Sequence, residues 1–392
     1  MRKAVIVSVA RTPVGRVGGG LSSISAADLG AIAIREAVRR SGIDPASVDD
    51  VIFGNILNND WQNIARAAAL AAGLPMEVPA IKVDRECGSG ANAVAFAAMS
   101  IQAGLYDVVV AGGVESDSTR PWIMAKPKKA FQVPCPEMFY DPPSVTETIG
   151  ECPMVDTAQN VGEKFHMTRE ECDEFALRSH ELAEAAWKRG FFDESVVEVT
   201  VPQRRGEPLH VRKDETIRPE TTMESLGRLK PVAYRGDLVT AGNSSPLCDG
   251  AAALVLMEES LAAKLGLAPI GEVTGYAVAG VHPHFMGMGP MAAVPKLLKK
   301  TGKSLADIDV IEINEAFAAQ AVPCCWELGF DMDRVNVNGG AIALGHPMGG
   351  TGAILTIKAL DELRDRGART GLVTMCIGGG QGIAMLVENR RF

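Results

Sequence analysis

The chain has 392 residues, 47% hydrophobic, 22% charged and only 5% aromatic, with 41 glycines. That length allows two or three domains around a large core, and few aromatics beside abundant glycine and alanine favour helices packed closely on sheets over a β-sandwich. A formal net charge of −9 and a pI near 5.3 argue against a nucleic-acid partner, which normally meets a basic excess.

The opening MRKAVIVSVARTP runs into a short apolar strand, without the longer apolar region and small-residue cleavage site of a secretory leader. The low-charge run around 91–106 is shorter than a spanning helix needs. A cytoplasmic protein with no membrane partner is expected. The eight cysteines (87, 135, 152, 172, 248, 324, 325, 376) have no CxxC spacing. They read as reduced thiols, mostly small buried hydrophobes, with no metal site.

In chain order, 3–9 reads as a strand. A helix follows at 25–40, with Ser25 as N-cap and Asp28 in its first turn. The segment 48–55 is a strand, 64–72 a helix closed by Gly73, and 78–83 a buried strand. After Arg85-Glu86-Cys87-Gly88-Ser89-Gly90, residues 91–103 (ANAVAFAAMSIQA) are small or apolar almost all round. Such a helix is buried on every side, which places it between two sheets. Residues 107–111 form an apolar β-branched run suited to a parallel sheet.

From 119 to 246 the character changes. Prolines recur at 121, 127, 134, 136, 142, 143 and 153. Helices at 155–165 and 169–189 follow, then an exposed hairpin pairs 196–201 with 209–212. Between 201 and 235 eight basic residues face five acidic ones, a solvated face unless the ligand is a polyanion. Residues 247–261 return to buried-strand character. The segments divide as 1–118 plus 247–270, an inserted loop domain at 119–246, and 271–392.

The last third repeats the plan of the first. SGIDPASVDDVIFGN (41–55) aligns with TGKSLADIDVIEINE (301–315), Asp50 falling on Asp309 and Asn55 on Asn314. GSG at 88–90 matches GTG at 350–352, and VVVAGG (108–113) matches VTMCIGGG (373–380). Three matches in one order indicate two related α/β halves.

The chemistry concentrates at strand ends. VNVNGGAIALGHPMGGTG (335–352) frames one imidazole, His346, in glycines, between a strand-like start at Val335 and Val337 and a helix-like continuation over 353–360. Cys87 lies at a strand-to-helix turn, where a helix N-terminus favours thiolate; a structural cysteine is the plainer alternative. Cys376 ends a strand before a glycine run whose N–H groups suit an oxyanion. Asn314 ends a strand, and alone is most simply an N-cap. A thiol, an imidazole, a second thiol and oxyanion donors are parts for acyl transfer.

On ECGSG (86–90), NEAFA (314–318), NGGAIALGHPMGGTG (338–352), CIGGGQG (376–382) and TAGNSSPLCDGAAA (240–253), the chain resembles the thiolases over nearly its full length. The resemblance implies an α/β fold of duplicated βαβαβαββ halves in a five-layered αβαβα core with an inserted, CoA-binding loop domain. It implies an acyltransferase that uses coenzyme A and acyl-CoA as substrates, holds no permanent cofactor, and assembles as a homodimer or homotetramer. It casts Cys87 as nucleophile, His346 as its base and Cys376 as acid/base at the acetyl-CoA α-carbon. Asn314 would hold a water in one oxyanion hole, and the N–H groups of Cys87 and Gly378 would form the other. Met154, Arg218, Ser225, Ser245, Met286, Ala316 and Phe317 would contact CoA.

The chain departs from the family's pattern at Asp84, Pro153, Ala233, Pro246 and Cys248, changes expected to touch the pantetheine and acyl pocket. A ketoacyl synthase of the same architecture would resemble a Cys-His-His set, where this chain carries Cys376. A silent CoA-binding subunit would be expected to lack the nucleophile or the histidine, and both are present.

Overall fold

A computed structural model describes residues 2–126, 138–139 and 143–391. Cys135 and the prolines at 127, 134, 136 and 142 lie outside them. The first half runs β1 (Ala4–Arg11), α1 (Ala26–Ser41), β2 (Asp50–Gly54), α2 (Ile64–Ala72), β3 (Ala80–Val83), α3 (Ser89–Gln102) and β4 (Val108–Ser116). Helices α4 (Met154–Lys164) and α5 (Arg169–Lys188) follow, and β5 (Cys248–Glu258) returns to the first sheet. The second half runs β6 (Gly271–Gly280), α6 (Gly289–Thr301), β7 (Val310–Ile313), α7 (Ala318–Leu328), α8 (Met348–Arg366), β8 (Thr370–Ile377) and β9 (Gln381–Asn389).

The strands lie in the order β7-β8-β9-β6-β1-β5-β4-β2-β3, with a short strand at Gly15–Arg16 on β5. Read outward from the β1–β6 junction, both halves repeat one order: β1-β5-β4-β2 and β6-β9-β8-β7. Each half is mixed. The β4–β2–β3 pairings and the β7–β8 pairing are parallel, and the rest are antiparallel.

Three apolar clusters define the layers. Helices α1 and α2 cover one face of the first half's strands (Leu29, Ile34, Ala68, Val51, Val110, Val255). Helices α3 and α8 fill the middle, touching both halves (Val94, Ala98, Ile357, Leu360 against Val109, Leu254, Val373, Met385). Helices α6 and α7 cover the far face (Val294, Leu297, Cys324 against Ile311, Leu372, Leu386). The order is α-β-α-β-α, as the family resemblance implies. Helix α3 is buried almost all round, as its composition predicts. Among the described residues no helix is long and apolar enough to cross a membrane.

Local chemistry explains the helix ends. Ser25 Oγ accepts the Asp28 N–H at 3.1 Å and Gly42 closes α1 in the left-handed region. Asn63 caps α2 and Gly73 ends it at φ +92°. Helix α5 opens with a Thr168/Glu171 capping box.

Four local expectations change. The strand over 78–83 lies at the sheet edge, not in the interior, and Ile81 is about half exposed. The hairpin Val199–Val201/Leu209–Val211 is not wholly exposed, for Val199, Val201 and Val211 pack into the α1/α2 layer. The strand expected at Val335 and Val337 shrinks to a single parallel bridge, Val335 to Ile311, because Asn336 turns at φ +45°. Helix α8 begins at Met348, five residues earlier than expected.

The internal repeat is real, but its register is one residue off. Asp49 Oδ2 accepts the Asp107 and Val108 N–H groups, as Asp309 Oδ2 accepts those of Arg369 and Thr370. Asp50 pairs with Val109 where Val310 pairs with Gly371. Asp309 therefore corresponds to Asp49, Asn314 to Gly54, and Glu315 to Asn55. By the same register Val108 corresponds to Thr370, so the glycine pairs of the two strands are not equivalent. Short strands carry too few distinctive side chains to fix a register; the aspartate's hydrogen bonds do.

Candidate active site

Between β3 and α3 the chain turns through Asp84–Gly88. Asp84 Oδ1 accepts the Glu86 N–H at 2.9 Å and holds Glu86 at φ +45°. Ser89 Oγ accepts the Arg85 N–H (2.8 Å) and donates to the Glu86 carbonyl (2.7 Å). Arg85 crosses to the other half, its guanidinium donating to Gln381 Oε1 at 3.2 Å. A side chain on Gly88 would stand 2.5 Å from Ile377 Cδ1, so the turn packs directly against the end of β8.

Cys87, partly buried, sits at the apex of this turn. Burial pushes its thiol well above the ordinary range, and Cys376 and Glu86 add to the shift. The backbone N–H groups of Gly378 and of Cys87 itself act in the opposite direction. A helix N-terminus alone suggests a thiolate; in this setting desolvation outweighs it and the resting group is a thiol.

His346 is 7% exposed, and burial lowers its imidazole to about 4. Its Nδ1 lies 2.6 Å from Thr351 Oγ1 and its Nε2 lies 3.4 Å from Asn314 Nδ2. Its backbone N–H donates to Cys248 Sγ at 3.0 Å. Cys248 thus supports the imidazole's backbone. The neutral imidazole and the neutral thiol both oppose a resting ion pair.

Asn314 is fully buried just past β7, held by its N–H on the Thr374 carbonyl at 3.0 Å. It is not a helix cap, since α7 starts at Ala318 after Phe317. Its Oδ1 has no protein partner, which leaves an acceptor for one water. Cys376 is 1% exposed near the end of β8, and burial raises its thiol. Gly378 begins the turn to β9, in which Gly379 and Gly380 take φ +71° and +82°.

Of the residues expected at CoA, four gather around Cys376: Met286 and Ala316 form a buried apolar cluster with it, and Met154 and Phe317 pack against that cluster. Ser245 joins them, its N–H and Oγ both donating to the Ala316 carbonyl (2.9 and 3.0 Å). Arg218 and Ser225 lie apart from Cys376. They line a cavity of about 470 Å³ with Arg16, His180, Ser244 and Pro246. The adjoining Ser244–Phe317 bridge connects this cavity to the Cys376 cluster.

The two halves meet through glycines. A Cβ on Gly90 would stand 2.7 Å from the Gly349 carbonyl oxygen, and one on Gly352 would stand 2.6 Å from Ala91 Cβ. The N-termini of α3 and α8, which follow Cys87 and His346, can approach only because side chains are missing there.

Three residues escape the sequence reading. Glu115, fully buried on β4, accepts N–H groups from Asn55 Nδ2 (2.9 Å), Leu57 (2.9 Å), Ile56 (3.2 Å) and Gly349 (3.0 Å). Burial raises its carboxyl to about 8 against these bonds. Its bond to Gly349 ties the first half to the start of α8. Glu315 accepts from Ser179 Oγ (2.6 Å), Asn336 Nδ2 (2.8 Å) and the Ile342 N–H (3.2 Å), and so fixes the loop ahead of His346. Thr351 touches the imidazole. An acid inside the apolar run VVVAGGVES (108–116) is the one signal that could have found Glu115.

Comparison with known proteins identifies the family. The family model "Thiolase, N-terminal domain" matches residues 4–260 and "Thiolase, C-terminal domain" matches 267–389. The chain is 44% identical over 395 residues to an acetyl-CoA acetyltransferase of Cupriavidus necator, covering 100% of both. It is 46% identical over 400 residues to the 3-oxoadipyl-CoA/3-oxo-5,6-dehydrosuberyl-CoA thiolase of Escherichia coli, covering 99% of this chain and 100% of that one. The crystal structure of the Bacillus anthracis acetyl-CoA acetyltransferase superposes with a TM-score of 0.93 at 43% identity, and that of human mitochondrial 3-ketoacyl-CoA thiolase with 0.93 at 37%, each covering 99% of both chains. With its duplicated halves, its glycine-lined junction and a thiol and an imidazole at the two helix starts, the chain belongs to the thiolase family of acyltransferases.

Proposed function

We propose that this thiolase interconverts 3-oxoacyl-CoA plus CoA with acyl-CoA plus acetyl-CoA in two half-reactions through an acyl-Cys87 thioester. In the first, His346 Nε2 takes the Cys87 proton as Sγ bonds the acyl carbon. The bond to the departing group then breaks, and in thiolysis that group leaves as the acetyl-CoA enolate, which Cys376 protonates at carbon. The His346 proton then passes to the Cys376 thiolate, restoring both groups. In the second half-reaction CoA loses its thiol proton to His346 and attacks the thioester, and the departing Cys87 thiolate takes that proton back. Each half-reaction conserves its proton, passing it between the two thiols and the imidazole.

The observation that carries this reading is the packing of the Cys87 turn on the end of β8. A Cβ on Gly88 would stand 2.5 Å from Ile377 Cδ1 and one on Gly378 3.4 Å from Glu86 Cγ. That packing brings the Gly378 N–H of the other half toward the Cys87 thiol, beside that of Cys87 itself. Donors at a nucleophile's sulfur are close to where the thioester oxyanion forms. The free Asn314 Oδ1 supports a water as the donor of the second hole. Met154, Ser245, Met286, Ala316 and Phe317 fit the pantetheine arm beside Cys376, and Arg218 and Ser225 the nucleotide end, on a loop domain at 119–246. A homodimer or homotetramer in the cytoplasm completes the proposal.

The test is thiolysis of 3-oxoacyl-CoA substrates of increasing length, with both substrates varied. Parallel double-reciprocal lines are expected. Lines that intersect would contradict the covalent route, and no thiolysis of any length would refute the activity.

A further inference from the structure

An imidazole can act as the base in this reading only if its reacting nitrogen is bare. His346 has two nitrogens in contact with protein, and one hydroxyl decides between them. Thr351 Oγ1 lies 2.6 Å from His346 Nδ1 and 2.9 Å from the Pro347 carbonyl oxygen. A carbonyl can only accept, so the single hydroxyl proton belongs to the Pro347 contact, the usual back-bond of a threonine in the first turn of a helix. Without it, two oxygens would face each other at 2.9 Å with no hydrogen between them. The hydroxyl must then accept from the ring, and Nδ1 carries the proton.

The other nitrogen agrees. With Nδ1 protonated, Nε2 offers a lone pair, and its neighbour at 3.4 Å is the donor Nδ2 of Asn314. That contact is long, so it orients the lone pair without consuming it. The imidazole's backbone is anchored independently by its N–H bond to Cys248 Sγ at 3.0 Å. The ring is thus fixed at its root by Cys248 and at its back by Thr351.

We infer that Thr351 is a positioning residue that sets the Nδ1–H tautomer of His346 and leaves Nε2 as the proton acceptor. The inference rests on the reading of His346 as the base. Thr351 is 2% exposed, with its hydroxyl on the Nδ1 side of the ring. It acts through the ring, as the residue behind a catalytic imidazole does in other nucleophilic enzymes.

The experiment uses the full chain labelled with ¹⁵N-histidine, whose six imidazoles are resolved by long-range ¹H–¹⁵N correlation. His346→Asn identifies the signal. The wild type is expected to show protonated Nδ1 and bare Nε2; the reverse pattern would overturn the inference whatever the variants do. In Thr351→Val, nearly the same shape without the hydroxyl, the Nε2–H form should become the major one. The rate of acetyl transfer from acetyl-CoA to Cys87 should fall roughly 10- to 100-fold, the scale of losing a hydrogen bond to a group that becomes charged. Thr351→Ser should restore both tautomer and rate. A valine variant that keeps the wild-type tautomer, or transfers acetyl at the wild-type rate, would refute the role. If His346→Asn itself acetylates normally, the reading of the base fails; if only the threonine variants are silent, this inference fails alone.

Discussion

Replacing Gly352 by alanine tests how the two halves are brought together. Its added Cβ would overlap the Ala91 backbone nitrogen and stand 2.6 Å from Ala91 Cβ and 2.8 Å from Ala91 Cα. Ordinary contacts lie at 3.4–4 Å, and the atoms in the way belong to the rigid backbone and stub of α3. The start of α8 therefore has to move away from α3 by about 1 Å, and His346 and Cys87 sit just ahead of these helix starts. A shift of that size costs on the order of 100-fold in rate for a reaction that depends on orientation, and overpacking of the junction costs about 1–3 kcal/mol of stability. The assay is the rate of Cys87 acetylation by acetyl-CoA, followed by intact mass, beside a thermal melt. Gly367→Ala is the control: its φ is +61° and nothing lies within 4 Å of the new methyl, so it should lose about 1 kcal/mol by backbone strain alone and acetylate normally. If Gly352→Ala acetylates at the wild-type rate, the argument that missing side chains set the distance between nucleophile and base is wrong.

Other consequences follow from single groups. Glu115→Ala leaves the buried N–H groups of Ile56, Leu57 and Gly349 without an acceptor and should cost at least about 3 kcal/mol in urea unfolding; a loss under about 1 kcal/mol would show that the tie to Gly349 is incidental. Lys358 is buried with its Nζ 2.8 Å from Glu312 and 2.5 Å from the Gly339 carbonyl, and burial raises Glu312 to about 7 in spite of it. Lys358→Met should destabilise by about 3–5 kcal/mol, and adding Glu312→Leu should recover most of that, because the unpaired charge rather than the lost bond dominates. Because burial lowers His346 to about 4, the protonated and inactive form appears only below that pH. The single-turnover acetylation rate should therefore show no loss centred near 6.5 and begin to fall only toward pH 4; a midpoint at 6.5 would mean that the ring is hydrated. Arg218→Ala should raise the KM for CoA several-fold with little change in kcat, an effect that weakens as salt is added; an equal fall in kcat would place Arg218 in the chemistry.

The sequence made legible what glycine, proline and apolar periodicity write locally. Ser25 and Gly73 delimit their helices, and the bare composition of ANAVAFAAMSIQA announces a helix buried on all sides. Cys87, His346, Asn314 and Cys376 could be picked out because each stands at a strand end or just before a helix, among small residues. What stayed hidden depends on the other half of the molecule. The thiolate expected of Cys87 ignores the burial that only the assembled halves impose. The edge position of Ile81 depends on strand order, and the buried face of the Val199–Val211 hairpin depends on α1. The hold of Cys248 on the backbone of His346 depends on a strand and a loop 98 residues apart. Asn55 and Asn314 matched by letter, yet the hydrogen bonds of Asp49 and Asp309 place Asn314 opposite Gly54.

The account's central claim is a covalent acyl enzyme at Cys87, with His346 as the base. Its most direct test is to mix the protein with acetyl-CoA, quench in acid, and map the adduct by peptide mass. One acetyl group on the peptide containing Cys87, transferable to added CoA, absent in Cys87→Ala and slow to form in His346→Ala, is the predicted result. An acetyl group on Cys376 instead, or turnover that continues in Cys87→Ala, would contradict it.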